Sequence, residues 1–433
     1  MSRPVLIVDA RLLDPASGLD RRGGVLVVDG RIAELGPQVT AALAPPGSEL
    51  VDARGLCLIP GLVDLRASFG EPGAEHKERF ESGCLAAVAG GVTSLALLPD
   101  TDPPIDDPAM VEFVARRARR AKLAKVHPQA AVTRGLEGRE LAELGLLKAA
   151  GAVAFTDGFK AVADARVMRR ALAYASMLDA LVVQHPEEPS LAEGGVMNEG
   201  PIASRLGLAG IPAAAEVITI ERDLRLLELT GGRLHVAHVT TAAGVAAIRA
   251  AKARGLAVTC DTTPHHLLLT EAEVEGYRTF AKVSPPLREE TDREAVIAGL
   301  VDGTIDAIAS DHCPQDQDSK RLPFAQAAFG VIGLQTLLSA SLELVFAGRI
   351  GLLELVRRLT AAPAAILGLE AGRLARGAPA DLVLVDLERS WTVTEKSLFS
   401  LAKNTPFEGR TFRGKVVRTL VDGRTVYEAH DPL

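Results

Sequence analysis

Apolar runs alternate with stretches of helical period through the middle of the chain. Eight short apolar runs can be counted between about residue 55 and residue 312. The stretches between them repeat apolar residues at helical spacing, and several end in glycine, which is typical of a helix C-cap. Eight strand–helix units predict an α/β fold in which residues 54–371 form a (β/α)8 TIM barrel, although an open doubly wound sheet would give the same local pattern. The runs are "LIPGLVDL", "VTSLALLP", "AKVHPQAAV", "AVAFT", "ALVVQ", "RLHVAHV", "LAVTCDT" and "IDAIAS".

The two ends of the chain have a different pattern, with short strand-like runs and tight turns. "GVLVVDGRIAELG" near the start and "TLVDGRTVYE" near the end both place Asp-Gly between strand-like runs, which predicts two-residue hairpins. Neither end alone has enough strands for a stable sheet. We therefore expect residues 1–53 and 372–433 to combine into one small β-sandwich domain beside the barrel.

Composition and charge narrow the class of protein. The 55 acidic and 48 basic residues give a net charge of -7 without long runs of one sign, so no surface for nucleic acid or an anionic membrane is indicated. No apolar stretch has the length of a membrane span, and the first residues lack the pattern of a signal peptide. The four cysteines are scattered without a CxxC pair, so we expect neither disulfides nor a thiolate zinc site, and a reducing, cytoplasmic setting.

Polar side chains collect at the predicted strand ends, where the chemistry of such barrels lies. Six of the nine histidines lie there, together with two aspartates. A single strand-end histidine is more often structural, but six that converge with aspartates indicate a metal-hydrolase site or its remnant. Neutral imidazoles and carboxylates can hold a divalent ion, which lowers the pKa of its bound water towards about 7. Asp311 could then accept a proton from that water as it attacks a carbonyl. The residues are Asp157, His185, His235, His238, His265, His266, Asp311 and His312, whereas His76, His127 and His430 lie elsewhere.

Longer motifs extend over nearly the whole chain, among them "EPG", "LAEGGVMNEG", "VTCDTTPHHLLLT", "KVSPPLR", "IDAIASDHCP", "GRLARGAPADLVLVD" and "NTPFEG". Through these motifs the chain resembles the dihydroorotases of the amidohydrolase superfamily. The resemblance implies a barrel that holds one or two zinc ions and reversibly closes carbamoyl-aspartate to dihydroorotate in pyrimidine synthesis. On that pattern His185, His238 and Asp311 match metal ligands. Asp157 matches the strand-four ligand, although the family's "DDG" has one Asp fewer here.

The resemblance fails at the end of strand one. Active members carry His-x-His there, because residues two apart project to the same face of a strand and both imidazoles then enter the barrel. This chain has Arg66 and Ser68 at those positions. Arginine has no lone pair to give a metal and stays charged at any usable pH, so a zinc ion would lose two ligands and face a fixed cation.

Four positions that the family uses for substrate also differ. The arginine before "EPG" is Gly70, and the asparagine expected in strand two is Asp100. The asparagine of "KVNPPLR" is Ser284, and the histidine that closes "DHAPH" is Gln315. Of these four differences, Asp100 should affect substrate binding most, because its carboxylate repels an anionic substrate. Together with Arg66 and Ser68, these differences affect both the metal-binding and the substrate-binding positions of the family, which indicates a degenerate site.

The resemblance is strongest to catalytically silent dihydroorotase homologues that assemble with aspartate carbamoyltransferase, through "ARLLDPASGLD" and the broken strand-one motif. It implies a non-catalytic structural partner of the aspartate carbamoyltransferase catalytic chain, forming a homo-oligomer, with no zinc or weakly bound zinc. The alternative is an active zinc-dependent dihydroorotase, or a related cyclic-amide hydrolase, with a metal site reduced to the four residual ligands. A hydrolase acting on another class of substrate also stays open.

The position of Arg66 gives a structural test of the degenerate site. Two carboxylates in a partly buried pocket need a compensating charge if no metal is present. Because Arg66 shares a strand face with Ser68, we expect its guanidinium to border the vacated metal position and to bond with Asp311 or Asp157. The alternative is that Arg66 extends out of the barrel mouth into solvent.

Overall fold

The computed structural model describes residues 3–429, so His430 lies outside the described residues. The strands are β1 (Val5–Asp14), β2 (Leu19–Val28), β3 (Arg31–Gly36), β4 (Glu49–Asp52), β5 (Cys57–Pro60), β6 (Leu62–Ala67), β7 (Val92–Leu97), β8 (Lys125–Pro128), β9 (Leu181–Gln184), β10 (Met197–Asn198), β11 (Gly210–Ile211), β12 (Arg233–Val236), β13 (Val258–Thr262), β14 (Ala307–Ile308), β15 (Leu382–Thr392), β16 (Thr411–Val421) and β17 (Arg424–Glu428).

The helices are α1 (Phe80–Ala89), α2 (Pro108–Ala121), α3 (Leu144–Ala149), α4 (Ala165–Met177), α5 (Pro189–Ala192), α6 (Pro201–Leu206), α7 (Ala213–Thr230), α8 (Ala242–Ala253), α9 (Pro264–Leu268), α10 (Glu290–Asp302), α11 (Gln317–Arg321), α12 (Leu337–Phe346), α13 (Leu352–Leu359) and α14 (Ala361–Leu367). Short 3-10 helices cover Ala41–Leu43, Arg134–Leu136, Glu271–Val274, Thr279–Ala281 and Glu395–Ser397.

Strands from both ends of the chain form one eight-stranded sheet. Its order is β17-β16-β15-β5-β1-β2-β3, and β4 pairs with β1. The long strand β1 pairs along one edge first with β4 and then with β5, on either side of an irregularity between Ile7 and Ala10. Buried side chains of both chain ends, such as Leu12, Val25 and Leu382, pack in one apolar cluster. The two ends therefore depend on each other for a core.

The run "LIPGLVDL" is not the single strand that its apolar pattern predicts. Its first part lies in β5, which pairs with β15 in the eight-stranded sheet, and its second part is β6, which pairs with β7. The break falls at Gly61, where a Cβ atom would lie 2.0 Å from the Thr93 hydroxyl oxygen. All residues of both strands are buried, so the hydrophobic pattern carries no sign of the break.

The parallel strands of the central region lie in two sheets. One has the order β6-β7-β8, and the other has the order β14-β13-β12-β9. Isolated parallel bridges join Ala130 to Phe155 and Phe155 to Val182, and another joins Ala67 to His312. The predicted strand "AVAFT" is reduced to those bridges at Phe155, whose amide N–H donates to the Leu181 carbonyl over 2.9 Å. The carboxyl ends of these strands face the same side of the molecule, as in any parallel arrangement.

Helices lie between these strands in the alternation that the sequence predicts. The run "ARVMRRALAYASMLD" forms α4, which begins after Asp164, whose carboxylate accepts hydrogen bonds from two backbone N–H groups of the first turn. Its buried residues recur at helical spacing, from Val167 and Met168 through Ala171 and Leu172 to Ala175. The architecture is thus an α/β fold with mixed sheets.

The four cysteines are free and buried in the structure. None of the helices in residues 3–429 is both long and apolar enough to span a bilayer.

Candidate active site

Arg66 lies at the end of β6 with only 2% of its side chain exposed. Its Nε donates to Asp311 Oδ1 over 2.8 Å, and its Nη2 donates to the Gly158 carbonyl over 3.0 Å. The guanidinium carbon lies 4.7 Å from the centre of the Phe159 ring, a cation–π contact. The predicted bond between Arg66 and Asp311 is confirmed, and the alternative of a side chain directed into solvent is wrong.

Asp311 is the buried partner of this guanidinium. Burial raises its pKa to about 6, and the attraction of Arg66 opposes that rise. Its backbone is left-handed, with φ 45°, a conformation that is uncommon outside glycine and is concentrated at functional sites. A buried carboxylate is therefore present at this strand end, and its charge is balanced by an arginine.

His185 and His238 are brought together beside this pair, with ring centres 5.5 Å apart. His185 Nε2 lies 3.3 Å from the Ser284 hydroxyl oxygen, while its Nδ1 and both ring nitrogens of His238 are buried without a partner among the described residues. Burial, followed by the charge of Arg66, lowers the pKa of His185 to about 3 and that of His238 well below its usual value. Both imidazoles are therefore neutral at physiological pH.

Asp157 does not join these residues, contrary to the prediction. Its Oδ1 accepts from the backbone N–H groups of Val132 and Thr133 over 3.0 and 2.9 Å, and its Oδ2 accepts from the Thr133 hydroxyl over 2.5 Å. These bonds hold the loop after β8, so both oxygens are already used. The next residue, Gly158, faces the centre and has no side chain to offer. The missing Asp of the family's "DDG" was the sequence signal for this difference.

The other strand-end histidines have structural partners. His235 Nε2 contacts Asp261 over 2.9 Å, and His266 Nε2 contacts the Pro285 carbonyl over 3.0 Å. His312 Nδ1 accepts from the Gly333 N–H over 3.2 Å, and its Nε2 lies 3.5 Å from Glu78 Oε2. His265 stacks obliquely on His266, while its Nε2 has no hydrogen-bond partner among the described residues. Four of the six histidines thus make contacts within the strands and loops, whereas His185 and His238 are the two on which the charge of Arg66 acts directly.

A zinc ion does not fit the side chains as they stand. The guanidinium already occupies Asp311 Oδ1, and Asp157 points elsewhere. Within residues 3–429, no three His, Cys, Asp or Glu side chains are placed to hold one ion. Arginine contributes no lone pair and keeps its positive charge next to any ion that entered. We therefore derive no catalytic step through zinc.

The four residues that the sequence predicts as altered substrate positions line one cavity of about 420 Å³, which Asp311 also lines. Ser68 donates to Asp100 Oδ2 over 2.7 Å, and the Ser284 hydroxyl lies 3.3 Å from both carboxylate oxygens of Glu187. Burial raises the pKa of Asp100 and of Glu187. The lining residues from the prediction are Ser68, Gly70, Asp100, Ser284, Asp311 and Gln315.

Sequence reasoning missed several residues of this cavity, among them Glu187, Phe159 and Lys77. Glu187 lies two residues after His185 in "HPEEP", and Phe159 follows the shortened "DG" motif. Lys77 also lines the cavity and lowers the pKa of Asp100 by its charge. The position of Glu187 two residues after His185 was the only sequence feature from which any of these residues could have been predicted.

Comparisons with known proteins place the chain in a family. Residues 55–243 match the family model described as Dihydro-orotase-like, and residues 231–427 match the model described as Amidohydrolase family. A dihydroorotase of Pelobacter propionicus is 48% identical over 98% of this chain and 99% of that protein. A dihydroorotase of Syntrophotalea carbinolica is 46% identical over 99% of this chain and 100% of that protein. The chain therefore belongs to the dihydroorotase family of the amidohydrolases.

Solved structures with a similar fold include hydantoinases. The L-hydantoinase (dihydropyrimidinase) from Arthrobacter aurescens has a TM-score of 0.88 and 27% identity, covering 100% of this chain and 98% of that one. A D-hydantoinase has a TM-score of 0.85 and 26% identity, covering 98% of this chain and 95% of that one. These similarities identify an amidohydrolase-type α/β fold.

Proposed function

We propose that this chain is a non-catalytic dihydroorotase-family protein of pyrimidine biosynthesis. In this proposal it is a cytoplasmic homo-oligomer that serves as a structural partner of the aspartate carbamoyltransferase catalytic chain, with no zinc or weakly bound zinc. The observation that carries the loss of catalysis is the buried bond from Arg66 to Asp311. The partner is proposed from the resemblance to silent homologues that assemble with that enzyme.

The physical argument rests on charge and on ligand number. The Arg66 guanidinium is bonded to Asp311, the carboxylate that would accept a proton from an attacking water. Because arginine does not deprotonate, this pairing persists at any usable pH. Asp100 adds a carboxylate where the anionic substrate would be held, which repels the substrate's own carboxylates. The site thus disfavours both the metal and the substrate of an active dihydroorotase.

We also propose that the central strands from β6 onward close into a (β/α)8 barrel within residues 54–371, and that residues 1–53 and 372–433, joined by β5, form the β-sandwich domain. The isolated bridges at Phe155 and between Ala67 and His312 support closure, because they lie where the two parallel sheets would meet. The pairing of β1 with β15 through β5 supports a composite domain of both chain ends.

An active zinc-dependent dihydroorotase, or a related cyclic-amide hydrolase, is the second candidate function. The relatives named dihydroorotase, which are 46–48% identical over nearly the whole chain, favour it over a silent subunit. It requires the guanidinium of Arg66 to leave Asp311, so that His185, His238 and Asp311 could hold a single ion. The geometry of the site favours the first function, and the names of the relatives favour the second.

Hydrolysis of dihydroorotate separates the two candidates. We expect the protein, purified and assayed with added zinc, to show no turnover above the uncatalysed rate in either direction of the reaction. The matched sample is the same protein treated with a chelator. A turnover that the chelator abolishes would refute the non-catalytic function and establish the second candidate.

Assembly tests the proposed partner. Aspartate carbamoyltransferase catalytic chains that are co-expressed with this protein should form a larger complex than either makes alone, as measured by light scattering of the eluted peak. The mixture of separately purified chains is the control for simple co-elution. Independent elution at micromolar concentration, with unchanged carbamoyltransferase activity, would contradict the partner role even if the chain proved inactive.

A further inference from the structure

Residues 316–328, which include α11, form a flap beside the cavity that Asp311 lines. The residues on either side of the flap line the cavity, among them Cys313 and Gly330. Both ends are fixed, because the Asn404 side-chain amide donates to the Cys313 carbonyl over 3.1 Å and to the Gly330 carbonyl over 3.0 Å. Any movement of the flap is therefore anchored at these two ends.

Two buried lysines fasten the flap to the loop that faces it. Lys282, on the facing loop, donates from Nζ to the flap carbonyls of Phe324 and Ala325 over 2.8 and 3.0 Å. Lys320, in the flap, donates in the opposite direction to the Thr279 carbonyl of the facing loop over 3.0 Å. Only 2% of Lys282 and 3% of Lys320 are exposed. The two side chains therefore cross-link the same two loops from opposite sides.

Neither lysine has an acidic partner. Among residues 3–429, no ion pair joins either ammonium group to a carboxylate. Asp316 of the flap faces His76 across 3.8 Å, and Glu273 of the facing loop pairs with Arg278 over 2.8 Å. The exposed charged groups on these loops and on the segment after Asn404 are Glu275, Asp318, Arg321 and Glu408.

Burial without a counter-charge disfavours the protonated form of both amines. Burial lowers the pKa of Lys282 to about 8 and that of Lys320 to about 7, and the charge of Lys282 adds to the fall at Lys320. A Cys313 thiolate would oppose that fall, but burial raises the pKa of the Cys313 thiol to about 12, so the thiol is neutral in this range. Because a lysine in water has a pKa of about 10.4, protonation favours a state in which the amines reach solvent.

We propose that Lys282 and Lys320 form a proton-controlled latch, which holds the flap closed at alkaline pH and releases it as the pH falls. Neutral amines donate to the main-chain carbonyls without the cost of a buried charge. When both amines are protonated, two cations without acidic partners lie between the same two loops, and opening of the flap brings them to water. The Phe329 ring lines the cavity and lies 4.5 Å from Lys282 Nζ, so release of the latch also frees part of the cavity wall.

Hydrogen exchange of the full-length protein, corrected for the intrinsic effect of pH, tests the latch. The Gly330 N–H donates to the Lys282 carbonyl over 3.0 Å and the Ala328 N–H donates to the Ser319 carbonyl over 3.1 Å, so these amides report on closure. Their protection should fall by about tenfold or more between about pH 9 and about pH 6, because groups with a lowered folded pKa destabilise the closed state as the pH falls through that pKa. Peptides of α4 serve as the internal reference for global unfolding.

Variants assign the effect to the two amines. Lys320→Met and Lys282→Met each remove one titrating group at similar length, so each should reduce the pH dependence of protection, and the double variant should abolish it. The second single variant keeps the test available if the first does not fold. The pH dependence is the readout, because loss of the hydrogen bonds alone would lower protection equally at every pH.

The matched control is Lys396→Met, which removes an exposed lysine outside the flap and should keep the wild-type pH dependence. Reduced dependence in the two latch variants, with the control unchanged, supports the latch. Protection of the flap that does not vary with pH in the wild type would overturn the proposal. The same conclusion would follow from an undiminished dependence in the double variant, or from a fall in protection that α4 shares equally.

Discussion

Replacing Arg66 by alanine should lower the free energy of unfolding by about 3–5 kcal/mol, because it leaves Asp311 as an unpaired charge in a buried site. Denaturant unfolding of the wild type and of Arg66→Ala measures the difference. The control is Arg119→Ala, which removes an exposed arginine from α2 and should change stability by less than about 0.5 kcal/mol. A loss in Arg66→Ala no larger than in the control would mean that the arginine is a passive replacement.

A double-mutant cycle separates the charge from the packing of the side chain. Arg66→Met keeps most of the volume and removes the cation, and Asp311→Asn removes the anion at nearly constant shape. If the two charges compensate each other, the double variant should be more stable than either single variant. Additive losses in the double variant would show that the two residues contribute independently.

The pH dependence of Arg66→Ala gives a further check. The pKa of Asp311 is about 6 in the folded protein, above its ordinary value, and removal of Arg66 should raise it further. Because the pKa of Asp311 is higher in the folded than in the unfolded state, the native state binds the proton more readily. The cost of burying the ionised carboxylate therefore disappears as the pH falls through the folded pKa. The destabilisation by Arg66→Ala should therefore be smaller near about pH 5 than near about pH 8. A destabilisation independent of pH would show that the charge of Asp311 is not its cause.

The second large effect concerns repair of the metal site. Arg66→His combined with Ser68→His should raise zinc binding from far below one ion to about one ion per chain, because it supplies two imidazoles and releases Asp311. Turnover of dihydroorotate should stay absent or very low, since Gly70, Asp100 and Ser284 are unchanged. Elemental analysis and an activity assay measure the two effects.

The single variant Arg66→His is the matched control for the double variant. It removes the cation but supplies only one of the two imidazoles, so we expect weaker zinc binding than in the double variant. Family-like turnover in the double variant would show that the altered substrate positions matter less than their charges indicate. Zinc binding as low as in the wild type would show that Arg66 is not what excludes the ion.

The sequence predicts the position of Arg66 well because the argument needs only strand alternation. Residues 66 and 68 share a face whatever the details of packing, and the charge of Asp311 needs a partner nearby. The β-rich chain ends and α4 were also predictable, since Asp-Gly turns and helical spacing are local signals. Local rules therefore sufficed for these features.

Other features depend on contacts that no local pattern records. The break at Gly61 falls inside a run that is buried throughout, so its apolar character does not change there. The direction of Asp157 is set by the N–H groups of Val132 and Thr133, which come from another strand end. His235 lies in β12 and His266 in α9, and their contacts with Asp261 and the Pro285 carbonyl depend on tertiary packing that no local pattern records.

Zinc content tests the central claim most directly, because the claim is that the Arg66 guanidinium stands where the family holds a metal ion. The protein should be supplied with excess zinc, dialysed without chelator and then submitted to elemental analysis. The account predicts far less than one zinc per chain, since strand β6 supplies no ligand and Asp311 is already paired. A content of one or two zinc ions per chain, together with hydrolysis of dihydroorotate, would contradict it.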